Sequence, residues 1–128
     1  MRIDYVKKFL DAAKSMPDFD KVGFIFLFGS VAEGKQNKLS DIDFAVYYQG
    51  TGKEGFKFRL KILSKLSDKF DVQILQDLPL FVQKDVLKGK LIYCKDIAFA
   101  YDVVYDIIKR FEDFKKGYYD YIGMEKIT

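Results

Sequence analysis

Histidine and tryptophan are absent from this chain of 128 residues, cysteine occurs once, at Cys94, and proline twice. Without an imidazole there is no Ser-His-Asp triad, no Cys-His pair and no histidine general base. Without clustered Cys or His there is no zinc site either. Any metal must sit on oxygen, which confines the field to hard cations such as magnesium, manganese or calcium held by carboxylates. A solitary cysteine suits a reducing compartment. An excess of one charge is also lacking: 22 Lys+Arg against 19 Asp+Glu leave +3, with no long run of like charges. General nucleic-acid binding is therefore not expected. No stretch reaches the roughly 18 apolar residues of a membrane span. Met1 to Lys14 mixes charges among its apolar positions instead of building a signal-peptide core. The expectation is a cytoplasmic protein with no membrane contact.

What is present is one domain's worth of apolar residues, 49% of the chain, enough to fold without disulfide or structural metal. Residues 1–128 are expected to form a single domain. Ile3, Val6, Phe9, Leu10 and Ala13 share one face at helical spacing, and Pro17 follows closely. The run VGFIFLF, residues 22–28, reads as a strand buried on both faces. A turn or short helix is expected from Gly29 to Gly34, then a loop over Lys35 to Ser40. From there Ile42, Phe44, Val46 and Tyr48 alternate with Asp41, Asp43, Ala45 and Tyr47, a strand pattern. Gly50, Gly52 and Gly55 suggest a flexible loop, Phe56 to Lys69 a helix, and Phe70 to Leu75 a third strand. A helix over residues 78–88, a short strand over 91–94 and a long helix over about 96–116 complete the chain. That last helix carries two apolar stripes, Ile97, Tyr101, Val104, Ile108 and Phe111 in one, Ala100, Val103, Ile107 and Phe114 in the other. Two stripes exceed one docking face, which points to a partner surface or a homodimer seam. Tyr118, Tyr119 and Tyr121 are expected to pack in part. The fold class is α/β (α+β), a small mixed β-sheet with helices mainly on one side.

Chemistry concentrates in FGSVAEGKQNKLSDIDFAV, residues 28–46. Period two puts Asp41 and Asp43 on one face of a strand, about 7 Å apart at the backbone and able to grip cations together. If the FDVQIL strand lies alongside in register, Asp71 joins them. Three such charges repel strongly unless a divalent cation neutralises them. Gly29 and Ser30 end the preceding strand, where a glycine permits close backbone approach and N–H groups with a hydroxyl can cradle a phosphate. Acids facing a phosphate cradle are what nucleotidyl or phosphoryl transfer requires. A P-loop reading of Gly29 to Lys35 fails at Gln36, where Ser or Thr is needed for magnesium. An EF-hand fails because Phe44 and Ala45 follow Asp43.

The pattern Gly29-Ser30, residues 31–40, then Asp41-Ile42-Asp43, with Asp71 on a later strand, resembles the minimal nucleotidyltransferases of the DNA polymerase β-like superfamily. The resemblance extends over about residues 22–96 and implies a polymerase beta-like palm. It implies that Asp41 and Asp43 hold two magnesium or manganese ions, with Asp71 completing the metal site and helping to deprotonate an acceptor hydroxyl. Gly29 and Ser30 would hold the outgoing phosphates of a nucleoside triphosphate, ATP being the expected donor of AMP. Glu33 stands where many relatives carry Arg, which makes Lys35 the candidate substitute for a phosphate contact. Members of this family are often antitoxins paired with a HEPN-type ribonuclease toxin, and some transfer AMP to a toxin tyrosine. Two other readings stand beside this one. One is an antitoxin that neutralises by binding alone; the other is an enzyme modifying a small molecule such as an aminoglycoside, although such relatives usually carry an added C-terminal domain.

Overall fold

The computed structural model describes residues 2–32, 34 and 41–122. Helix α1 (Arg2–Lys14) leads into strand β1 (Val22–Phe28), the single turn α2 (Gly29–Ala32) and strand β2 (Ile42–Tyr48). Helix α3 (Gly52–Leu63) then returns the chain to strand β3 (Phe70–Ile74). Helix α4 (Leu80–Val86), strand β4 (Lys90–Cys94) and the long helix α5 (Ile97–Ile122) follow. The strands form one mixed sheet in the order β3-β2-β1-β4. β1 runs antiparallel to both β2 and β4, whereas β2 and β3 are parallel and joined by the α3 crossover.

The helices, expected mainly on one side, divide between the two faces. On one face Ile42, Phe44, Val46 and Tyr48 meet α1 and α3, with Phe9 stacked on Phe44 at 3.9 Å between ring centroids. On the other, Phe24, Phe26 and Ala45 meet Val86 of α4 and Ala100 and Ile107 of α5. The cause is β1 itself. Every residue from Val22 to Leu27 is buried, so both sides of this central strand need a covering layer.

Two helix boundaries also differ from expectation. α3 begins at Gly52 rather than Phe56 because Thr51 and Glu54 form a reciprocal capping box, Thr51 Oγ1 accepting from the Glu54 N–H and Glu54 accepting from the Thr51 N–H. That arrangement outweighs the glycines at 52 and 55. α5 runs on through Gly117 to Ile122, its N-terminus capped by Asp96, which accepts from the Ala98 and Phe99 N–H groups. Of its two stripes, the one with Ala100, Val103 and Ile107 docks on the sheet. Ile97, Tyr101, Tyr105 and Ile108 are exposed, as are Phe114, Tyr118 and Tyr119 further along, although Tyr118 stacks on Phe114 at 6.4 Å between ring centroids and meets Tyr119 at 6.0 Å. The Tyr121 side chain lies outside the described residues. Among the described residues no helix is long and apolar enough to cross a membrane.

Candidate active site

Hydrophobic alternation along β2 decides where its acids go. With Ile42, Phe44 and Val46 committed to the α1–α3 face, Asp43 falls on the opposite face. Asp43 is the cross-strand partner of Phe28, the last residue of β1, and of Asp71 on β3. The parallel β2–β3 pairing thus brings the two carboxylate-bearing positions side by side, both half-buried, with exposed Asp41 two residues upstream.

Gly29 closes the other side of this arrangement. Its φ is +79°, and a side chain built on it would collide with the Asp43 carboxylate. Both the backbone angle and the close approach therefore demand glycine. The expected cradle is confined to local N–H groups, since α2 is one turn of four residues and too short to sum much of a helix dipole. The Ser30 backbone lies in that turn; its hydroxyl, together with Glu33 and Lys35, lies outside the described residues.

Electrostatics mark Asp43 out. Burial, then the neighbouring charge of Asp71, then that of Asp41 push its pKa up to about 6 from an ordinary 3.8. Among the described residues neither Asp43 nor Asp71 has a basic partner. Among them, too, no group of three or more acids, cysteines or histidines converges closely enough to hold an ion as a set. The geometry brings Asp43 and Asp71 together as a pair, with Asp41 beside them. Such a donor set, all carboxylate and electrostatically strained, fits a hard divalent cation.

Two supporting side chains escaped the sequence reading. Gln73 Nε2 donates to Asp71 Oδ2 at 3.2 Å, and Arg59 Nε from α3 donates to the carbonyl of Val72, between them. Gln73 was within reach, since period two from Asp71 places it on the same face. Arg59 was not, because its partner is set by how α3 crosses the sheet.

Residues 11–98 match the family described as polymerase beta, nucleotidyltransferase. The chain belongs to that family. It is 31% identical over 96 residues, 75% of each chain, to a candidate protein adenylyltransferase of Methanocaldococcus jannaschii. Its fold is similar to that of a chain in the crystal structure of a toxin–antitoxin with AMP-PNP, with a TM-score of 0.72 at 20% identity, covering 92% of this chain and 95% of the other. It is similar as well to a chain in the structure of a tri-AMPylated Shewanella oneidensis HEPN toxin in complex with MNT antitoxin. There the TM-score is 0.69 at 18% identity, covering 96% of this chain and 97% of the other. The protein is thus a nucleotidyltransferase with the polymerase beta-like fold.

Two outcomes follow for this nucleotidyltransferase site. Gly29→Ala forces a left-handed backbone angle on a residue with a Cβ and displaces the Asp43 carboxylate; chemical denaturation should show a loss of roughly 1–2 kcal/mol from the backbone alone. The raised pKa of Asp43 means that the folded state binds its proton more tightly than the unfolded state does. Its contribution to stability is complete below pH 3.8 and is lost as the pH rises through about 6. In chelator-treated protein the melting temperature of wild type should fall relative to Asp43→Asn across that window, and added magnesium should close the gap. A parallel pair of curves would show that Asp43 titrates as an ordinary surface acid.

Proposed function

We propose that this nucleotidyltransferase is a magnesium- or manganese-dependent protein adenylyltransferase, moving AMP from ATP to a tyrosine hydroxyl of a HEPN-type toxin partner. The observation that carries the reading is the registered pair Asp43–Asp71 with the Gly29 turn pressed against Asp43. The printed descriptions of its relatives, an adenylyltransferase and toxin–antitoxin complexes containing AMP-PNP or an AMPylated toxin, support the choice of nucleotide and partner.

Asp41, Asp43 and Asp71 hold the cations, which when bound neutralise the triphosphate and make the acceptor hydroxyl more acidic. The first-turn N–H groups after Gly29, with Ser30 and Lys35, receive the outgoing phosphates. Gln73 occupies Oδ2 of Asp71 and fixes its orientation, leaving Oδ1 to take the acceptor proton. The acceptor oxygen forms its bond to the α-phosphorus as the bond from that phosphorus to the pyrophosphate oxygen breaks, and pyrophosphate leaves. The exposed row Ile97, Tyr101, Tyr105 and Ile108 on α5 supplies apolar surface for docking the partner.

That exposed row also favours a second reading, neutralisation by binding alone. Purified with its HEPN-type partner and α-labelled ATP, the wild type should label a partner tyrosine. The Asp41→Asn/Asp43→Asn double variant should lose label by a factor of about 10² or more, a scale typical of removing electrostatic catalysis, while retaining the complex on gel filtration. Neutralisation in cells by the double variant, with no label transferred by wild type, would establish the binding-only reading.

A further inference from the structure

The two helices on the face of the sheet opposite Asp43 do not cover it evenly. Helix α1 lies over β2 and β3, with Phe9 stacked on Phe44 and Tyr5 edge-on to Phe70, and α3 adds Phe58 and Ile62 to the same layer. Toward the edge strand β4 that layer stops, and a groove of about 590 Å³ opens between α1 and β4. Its apolar lining is Val6 and Leu10 of α1, Leu27 of β1 and Ile92 of β4. A β-bulge delivers the last of these. The register passes from Ile25 opposite Tyr93 to Phe26 opposite Leu91, which leaves Ile92 as the extra residue. Ile92 and Tyr93, neighbours in sequence, therefore both turn toward the α1 side. Lysines rim the groove. Lys7 is paired with Asp11 at 3.0 Å, whereas Lys14 of α1 and Lys90 of β4, both exposed, have no anionic partner among the described residues.

Chain direction sets these two cations at opposite ends of the groove. Lys90 opens β4, whereas the segment after α1 brings Phe19 against Tyr93 at 4.9 Å between ring centroids, so the Lys14 end of α1 lies toward the far end of the strand. We propose that the groove docks an amphipathic helix of a partner protein, with apolar side chains facing Val6, Leu10, Leu27 and Ile92 and acidic side chains reaching Lys14 and Lys90. A helix beside α1, at the usual interaxial distance of about 8–10 Å, continues the α1–α3 layer over β4. The charge of the rim selects an acidic one, since three lysines stand against one aspartate. Other occupants fit less well. Strand addition at β4 is opposed by the bulge and by Lys90 on the edge, both of which hinder pairing. A small ligand with one anionic head meets the lysine at one end and leaves the other unpaired. The groove is separate from the exposed α5 row, which belongs to the helical layer of the other face. Its occupation leaves Asp43 and Asp71 free, and the proposal does not depend on the adenylyltransferase reading.

The probe is a fluorescein-labelled designed peptide of about 18 residues, long enough to hold a helix, with a leucine stripe flanked by glutamates, its affinity read by fluorescence anisotropy. One comparison peptide replaces the glutamates with lysines, another the leucines with serines. The proteins are wild type, Lys14→Glu/Lys90→Glu and, on the other surface, Tyr101→Ala/Tyr105→Ala, with melting curves to verify folding. Wild type should bind the glutamate peptide about tenfold or more tightly than either comparison peptide. Charge reversal at Lys14 and Lys90 should exchange the order and make the lysine peptide the tighter ligand, a gain that a damaged fold cannot produce. Tyr101→Ala/Tyr105→Ala should leave the glutamate peptide's affinity unchanged. The assignment is overturned if wild type does not prefer the glutamate peptide to both others, a comparison that needs no variant. It is overturned equally if the folded charge-reversed protein keeps the wild-type order, or if the affinity falls only in the α5 variant.

Discussion

Like-charge repulsion on one flank of a four-stranded sheet is the constraint around which this molecule is arranged. Asp43 sits beside Asp71 in strand register, with Asp41 close by, and its carboxylate abuts a glycine that could not carry a side chain. Nothing basic among the described residues relieves that concentration of charge. A fold optimised for stability alone would place a lysine there or an apolar residue. The retained strain is what a site needs if cations and a polyphosphate are to complete it, because a bound cation relieves the repulsion among the carboxylates.

The surrounding architecture keeps those acids in place. β1 is buried on both faces and anchors the sheet between the α1–α3 layer and the α4–α5 layer. The α3 crossover makes β2 and β3 parallel, and that pairing puts Asp71 opposite Asp43. α3 also sends Arg59 to the carbonyl of Val72, so the edge strand carrying Asp71 is tied to the helix that delivers it. α4 and α5 cover the second face as far as Ala45 of β2, and Asp43 and Asp71 stay half-buried beyond that cover. The outer row of α5 stays exposed.

Much of this was legible in the chain, for reasons that can be stated residue by residue. The period-two pattern from Asp41 to Tyr48 separates acids from core residues without any tertiary information. The pairing of β2 with β3 was only conditional from sequence, because adjacency of parallel strands depends on how a crossover packs. Gly29 was readable as a turn, but its collision with Asp43 arises from the Phe28–Asp43 register and has no local signature. The split of helices between two faces was implied by the unbroken apolar run of β1, a signal outweighed by expecting one helical layer. The start of α3 was misread because three glycines suggested a loop, although Thr51 and Glu54 carried the capping pattern. The burial of one α5 stripe and exposure of the other depended on which side of the helix meets the sheet, a choice that two similar stripes leave undecided.

The central claim is that Asp43 and Asp71 act together as the cation-holding pair of the transferase. Manganese binding in the presence of ATP, followed by the electron paramagnetic resonance signal of the free ion, tests it most directly in wild type, Asp43→Asn and Asp71→Asn. Each single substitution should weaken manganese binding strongly, and the double substitution should add little to either, because the ion is lost as soon as one ligand of a coupled pair is gone. Manganese affinity that survives Asp71→Asn unchanged would contradict the account, leaving the β2–β3 register as a feature of the fold without a role in the chemistry.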